Sequence, residues 1–376
     1  MKTKLMKRCC RIGGLMVLFA FWGMHVFAQS SAKLIVHAEA VKEMLKWFDG
    51  GSKEKGIALL LAQPAHQLME PLLKGNEKVA TTFEESIRCW AKGDTTQPDT
   101  YLIKRAYHQR DAIRQLLEAI ENADFANKVY ARVGELFPQG YSFQRSYEIF
   151  LTPVGWKWGD AMSFSYKINN GHYAPSEGGT PTILFNLTIV AEGYGRTPEE
   201  RMETFANVLA HELFHAAYAD YCRSHSTPTL SDSIAQHAFD MMLNEGLAHY
   251  IADGAIIGKE LPTNDFLKEQ ERKVFSTLAD SARVIFDPKQ PEEVRKNAIS
   301  SGTYGKYWSK YICMSGLLMA YHVEKELGRE ALRDCVVAGP VELVRKYYQL
   351  QQRDANLPSL PPEMVRMLDE KTVSAK

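Results

Sequence analysis

Apolar positions in the first third of the chain recur at three- and four-residue steps. Leu34, Ala38, Val41, Met44, Leu45 and Phe48 form one such stripe, and Leu116, Leu117, Ile120 and Phe125 carry the theme through residues 101–133. One face of a helix repeats every 3.6 residues, so this spacing predicts helices from Leu34 to about Val133. Gly50 and Gly51, then the polar stretch from Lys92 to Asp99, divide the run into separate segments.

The period then changes. Tyr147, Ile149 and Leu151 alternate with other positions, as do Met162, Phe164 and Tyr166, and Asn169-Asn170-Gly171 is a turn signal. The run from Thr182 to Ile189, rich in β-branched and apolar residues, completes a small antiparallel sheet predicted over 147–190. Helical periodicity returns near Pro198, giving helices over 198–253 and further helices over 254–353. The tail at 354–376 is polar, contains Pro358, Pro361 and Pro362, and is predicted to be partly disordered. The expected fold class is α+β and mostly helical. A helical region at 29–140 precedes a second unit at 141–353.

Charge changes the picture at the amino terminus. The first eleven residues hold five basic and no acidic side chains, and the apolar run from Ile12 to Phe27 follows. That is the layout of a secretory signal, with Val26 and Ala28 small enough for its cleavage site, so residues 1–28 are predicted to be removed. The expected location is secreted or periplasmic. Cleavage removes those five positive charges from a chain with 45 basic and 45 acidic residues, leaving 40 against 45. A mildly acidic mature chain lacks the basic stripe that nucleic-acid binding needs. No later apolar run reaches spanning length, so no stable membrane insertion is expected after cleavage. Of the four remaining cysteines, Cys89, Cys222, Cys313 and Cys335, the last two lie in apolar helical segments and read as buried thiols.

The candidate chemistry lies in Ala210-His211-Glu212-Leu213-Phe214-His215-Ala216. On a helix, His211 and His215 stand one turn apart on one face, where both imidazoles can hold one metal ion. Glu212 projects about 100° around the helix from His211, free to act as general base on a water; this is the H-E-x-x-H arrangement of zinc peptidases. Catalytic zinc takes three protein ligands and keeps one position open. Downstream, Asn244-Glu245-Gly246-Leu247-Ala248 resembles the N-E-G-x-A sequence of gluzincin metallopeptidases. The resemblance implies a zincin-like unit that hydrolyses peptides, with His211, His215 and Glu245 as zinc ligands and Gly246 permitting close approach of the two metal-binding helices. It also makes Thr182–Ile189 similar to the edge strand on which such peptidases align a substrate; an ordinary core strand is the other reading. The resemblance covers roughly residues 180 to 330, and the whole chain most resembles uncharacterised secreted zinc-peptidase families.

The sequence departs from the gluzincin pattern in three places. Twenty-nine residues separate His215 from Glu245, so 224–231 reads as an inserted loop. His249 stands where several such families place an Asp that orients a ligating His, which leaves Asp220, Asp240 and Asp253 as candidates for that role. The segment Tyr311–Gly328 is similar to the helix that follows a catalytic Tyr. If Gly316 is aligned there, Cys313 takes the Tyr position, and Tyr311, Tyr307 and Tyr304 are the substitutes; Tyr311 is assigned as the donor to the carbonyl oxygen. His225, His237 and His322 are assigned to surface or core roles. Two rival functions keep the zinc: hydrolysis of a non-peptide amide or ester, and a non-catalytic exported zinc protein. Three ligands with a spare carboxylate favour catalysis over a closed structural site.

Overall fold

Strand β2 (Tyr147–Thr152) organises the molecule. In this computed structural model, which describes residues 33–368 apart from Glu77, Lys78, Ala80, Thr95, Gln144, Trp158 and Pro228, both faces of β2 are covered. It pairs in parallel with β1 (Leu34–His37) on one side and with β5 (Thr180–Asn186) on the other. Strand β3 (Ala161–Asn169) runs antiparallel to β5 and to β4 (His172–Pro175), giving the order β1-β2-β5-β3-β4. The sheet is therefore mixed, not antiparallel. Alternation reports which residues share a face and carries nothing about strand direction. Asn170 and Gly171, with φ of 51° and 79°, make the β3–β4 turn, whose geometry requires positive φ at both central positions.

Three sequence expectations change at the edges of elements. Leu34–His37 is a strand, not the start of a helix. The apolar run expected to stay extended to Ile189 ends at Asn186, whose side chain accepts a bond from the Thr188 N–H and caps helix α7 (Leu187–Gly193). The tail is packed as far as the structure describes it. Leu360, Met364 and Met367 are buried, and α15 (Pro362–Leu368) packs on α14 (Pro340–Gln351), while the Tyr347 hydroxyl donates to the Pro358 carbonyl at 2.8 Å. The predicted signal segment lies outside the described residues, as do residues 369–376.

Helices cover both faces of the sheet. On one face the Tyr147 hydroxyl donates to Asp220 of α8 (Pro198–Ser224) at 2.8 Å; on the other, Phe150 stacks on His37 at 4.4 Å and α3 (Pro64–Asn76) packs against β2 and β4. Rings join the amino-terminal helices to α8: Phe125 meets Phe205 at 5.6 Å and Phe137 meets Phe214 at 5.7 Å, so the two parts of the chain share one apolar core. Among the described residues, no helix is long and apolar enough to cross a membrane. Cys313 and Cys335 are buried free thiols.

Helix α9 (Ser233–Glu260) lies between α8 and α12 (Tyr311–Leu327). Its approach to α12 is backbone on backbone: a Cβ on Gly246 would stand 2.5 Å from the Gly316 carbonyl carbon, and one on Gly316 would overlap the Met242 carbonyl oxygen. Gly246 thus serves contact with α12, not with the helix of the two histidines, because it lies on the other side of α9. Gly316→Ala is expected to cost about 1–3 kcal/mol or more through overpacking against backbone that cannot move aside. Gly258→Ala on α9, whose added Cβ would meet its nearest neighbour at 3.8 Å, should be neutral or stabilising. Urea unfolding of the two variants checks the contrast.

Candidate metal centre

Helix α8 starts where local chemistry says it should. The Thr197 side chain accepts from the Glu200 N–H, Glu200 returns the bond to the Thr197 N–H, and Pro198 fills the first turn, where no N–H is needed. From there the helix runs unbroken to Ser224, burying Phe205, Leu209, Leu213 and Phe214 in the core. That burial turns His211 and His215 toward α9. Helix α9 is started by Asp232, which accepts from the Ile234 and Ala235 N–H groups, and it presents Asn244, Glu245, Ala248 and His249 to α8.

The sequence-predicted ligands meet at this junction. The His211 and His215 Nε2 atoms are 3.0 Å apart, and the Glu245 carboxylate oxygens lie 3.9 Å from the first and 3.6 Å from the second. His215 Nδ1 donates to Asn244 Oδ1 at 2.9 Å, and the Ala248 carbonyl accepts from the His211 ring. With their protons committed there, both Nε2 atoms carry lone pairs that face each other and a carboxylate. Such a set of like dipoles and negative charge is relieved by a cation, and three donors of N, N and O type fit zinc. The groups that orient the two rings are an amide oxygen and a backbone carbonyl. No carboxylate does so: Asp220 is held by Tyr147, Arg145 and Arg223, Asp240 accepts from Gln236, and Asp253 serves His249.

Glu212 lies where the trio meets the sheet, close enough to both for its carboxyl to feel the charges of His215 and Glu245. Its carboxylate accepts from the Ser163 backbone N–H on β3, and burial pushes its pKa up to about 7, with Asp160 and Glu245 adding to the rise and His215 opposing it. Burial also holds His211 well below the usual imidazole range, helped by the charges of His249, His215 and Lys310.

A second layer stands beside the trio. The His249 ring lies 4.6 Å from that of His211, and His211, Glu245 and His249 can each offer one ligand atom within 4.8 Å of the others. Both nitrogens of His249 are nevertheless engaged: Nε2 with the Lys310 ammonium at 3.1 Å, Nδ1 with Asp253 at 3.8 Å. Tyr307 donates its hydroxyl to the same Asp253 oxygen at 2.6 Å. Tyr311, assigned from sequence to the reacting carbonyl, is not brought to the cluster. Its ring lies against Gly302, where no Cβ intervenes, and its hydroxyl donates to the Ala298 carbonyl. Sequence reasoning missed Lys310 and Asp160. Neither sits in a recognisable spacing with the histidines, and the loops that carry them approach the site only through the tertiary fold.

No curated protein and no solved structure matches the chain. A family model described as "Putative zinc dependent peptidase" (DUF5700) matches residues 57–356, spanning both the amino-terminal helices and the metal-site helices, and the chain therefore belongs to that family.

Proposed function

We propose that this protein is an exported peptidase of the gluzincin type, in which His211, His215 and Glu245 hold zinc and Glu212 is the general base. The observation that carries the reading is the convergence of two imidazole Nε2 atoms, 3.0 Å apart, on one carboxylate, with a separate half-buried carboxylate one residue after the first histidine. Zinc held there supplies a Lewis acid that acidifies water and polarises a carbonyl. Glu212 takes the proton of the attacking water as its oxygen bonds to the carbonyl carbon, then delivers it to the amide nitrogen as the C–N bond breaks.

The sheet supports a peptide in preference to a small amide. Strand β4 pairs only with residues 166–169 of β3, so among the described residues the stretch 161–165 has no strand beside it on that side. Ser163 N–H and Ser165 C=O project from that edge, the first to Glu212 and the second to the Ser176 N–H. An extended substrate added along 161–164 would lie beside the base, because the Glu212 carboxylate is bonded to that stretch at Ser163. The Thr182–Ile189 run, open from sequence to an edge-strand or a core-strand reading, takes the second: its extended part, to Asn186, is flanked by β2 on one side and β3 on the other. Export rests on the basic and apolar amino-terminal segment.

The test is cleavage of a mixed peptide library by the mature chain before and after treatment with a chelator. Cleavage should vanish on metal removal and return with one equivalent of zinc, read against elemental analysis. A folded, metal-free protein that cleaves at the original rate would overturn the reading.

A further inference from the structure

Hydrolysis of an amide places negative charge on the carbonyl oxygen, and a positioned donor there is commonly the largest single contribution to rate. The tyrosines near the site are not available for it. Tyr311 donates to Ala298, Tyr307 donates to Asp253, and Tyr304 is 76% exposed on the loop outside. His249 is not available either, since its Nε2 faces the Lys310 ammonium.

That leaves Lys310. It sits at the last position before α12, partly buried, and its charge is felt at His211, His249, Asp160 and Cys313. An ammonium has three N–H donors. One is directed at His249 Nε2 at 3.1 Å, and the nearby Asp160 carboxylate opposes its charge. His249 is in turn fixed by Asp253, which Tyr307 holds at 2.6 Å. The ammonium is thus held beside His249, whose ring lies 4.6 Å from that of His211, and two of its three donors are not spent on His249. Preorganisation of this kind makes a charge useful in a transition state, because nothing needs to reorient as charge develops.

We infer that Lys310 is a catalytic residue that holds the negative charge on the scissile carbonyl oxygen, with His249 and Asp253 as its positioning residues. This rests on the peptidase reading above. No proton leaves Lys310 in the step; the interaction is electrostatic, and the proton travels through Glu212.

The experiment compares the zinc-loaded wild type, Lys310→Met, Lys310→Arg and Glu212→Gln on a peptide cleaved by the wild type and on its phosphinic analogue, which mimics the tetrahedral state. Zinc content and thermal melts are recorded for each. Lys310→Met should lower kcat by about 100-fold with KM and zinc content unchanged. Its affinity for the phosphinic analogue, measured by calorimetry, should fall by a similar factor, and Lys310→Arg should recover part of both. Should Lys310→Met fail to fold, Lys310→Gln carries the same comparison. Unchanged kcat would overturn the inference. So would a loss confined to KM on peptides with a free carboxyl terminus and absent on amidated ones, which would make Lys310 an anchor for the substrate terminus. Failure of the peptidase reading gives a different result: the wild type itself cleaves nothing and resembles Glu212→Gln.

Discussion

Glu212→Gln is expected to lower peptide hydrolysis by about 100- to 10,000-fold, the usual cost of losing a general base, while zinc content stays at the wild-type level. Gln is nearly isosteric and its amide oxygen can still accept the Ser163 N–H, so the side chain has no reason to leave its slot. What it cannot do is accept a proton from water. The metal should stay because the three groups that converge on it are not touched. Elemental analysis and turnover measured on the same sample check both halves, and full turnover in the variant would remove Glu212 from the mechanism. The metal-free proteins give a second readout. Burial raises the Glu212 carboxyl from 4.5 to about 7, so between those values the folded state keeps a proton that the unfolded chain has released. Stability therefore declines as pH rises through that window. Gln removes the decline, and metal-free Glu212→Gln should melt above metal-free wild type at pH 8.

Much of the site could be read before the fold. The i and i+4 spacing of His211 and His215 is a local property of a helix, and Thr197-Pro198-Glu199-Glu200 announces that helix with a complete capping box. Glu245 was reached by resemblance, and the structure brings its carboxylate to within 3.9 Å of both imidazole Nε2 atoms. What failed was long-range. Leu34–His37 forms a strand only because β2 lies beside it, and four residues of apolar sequence cannot distinguish a short strand from the start of a helix. The middle place of β5 follows from the parallel β2–β5 pairing, which alternation cannot signal. The missing Cβ of Gly246 marks a close approach, but to α12 and not to the helix of the two histidines, since a missing Cβ says that something comes near and not what. Tyr311 was placed by analogy with another helix, and the local packing on Gly302 turned its hydroxyl elsewhere. Lys310 had no pattern at all. Its place beside His249 is a product of where the turn Tyr307–Ser309 delivers it.

Glu245→Ala is expected to reduce zinc affinity by orders of magnitude, and His249→Ala by no more than about 10- to 100-fold, the range typical of groups that only support a ligand. The two residues compete because they stand one turn apart on α9, and each can come within 4.8 Å of His211. Electrostatics separates them. Glu245 offers two oxygens, at 3.9 Å from His211 Nε2 and 3.6 Å from His215 Nε2, and its charge offsets that of a divalent ion. His249 offers a nitrogen already facing an ammonium at 3.1 Å. The ammonium occupies the lone pair that an ion would need. His249 could ligate only if Lys310 moved away, and Asp160, together with the turn that precedes α12, opposes that movement. Losing His249 frees Lys310 and loosens one wall of the site, which explains a modest expected loss and not a null one. Competition with a coloured chelator measures both variants on one scale. The reverse ranking would put the ion among His211, Glu245 and His249 or in a three-histidine site, and would refute the gluzincin assignment while leaving a zinc peptidase standing.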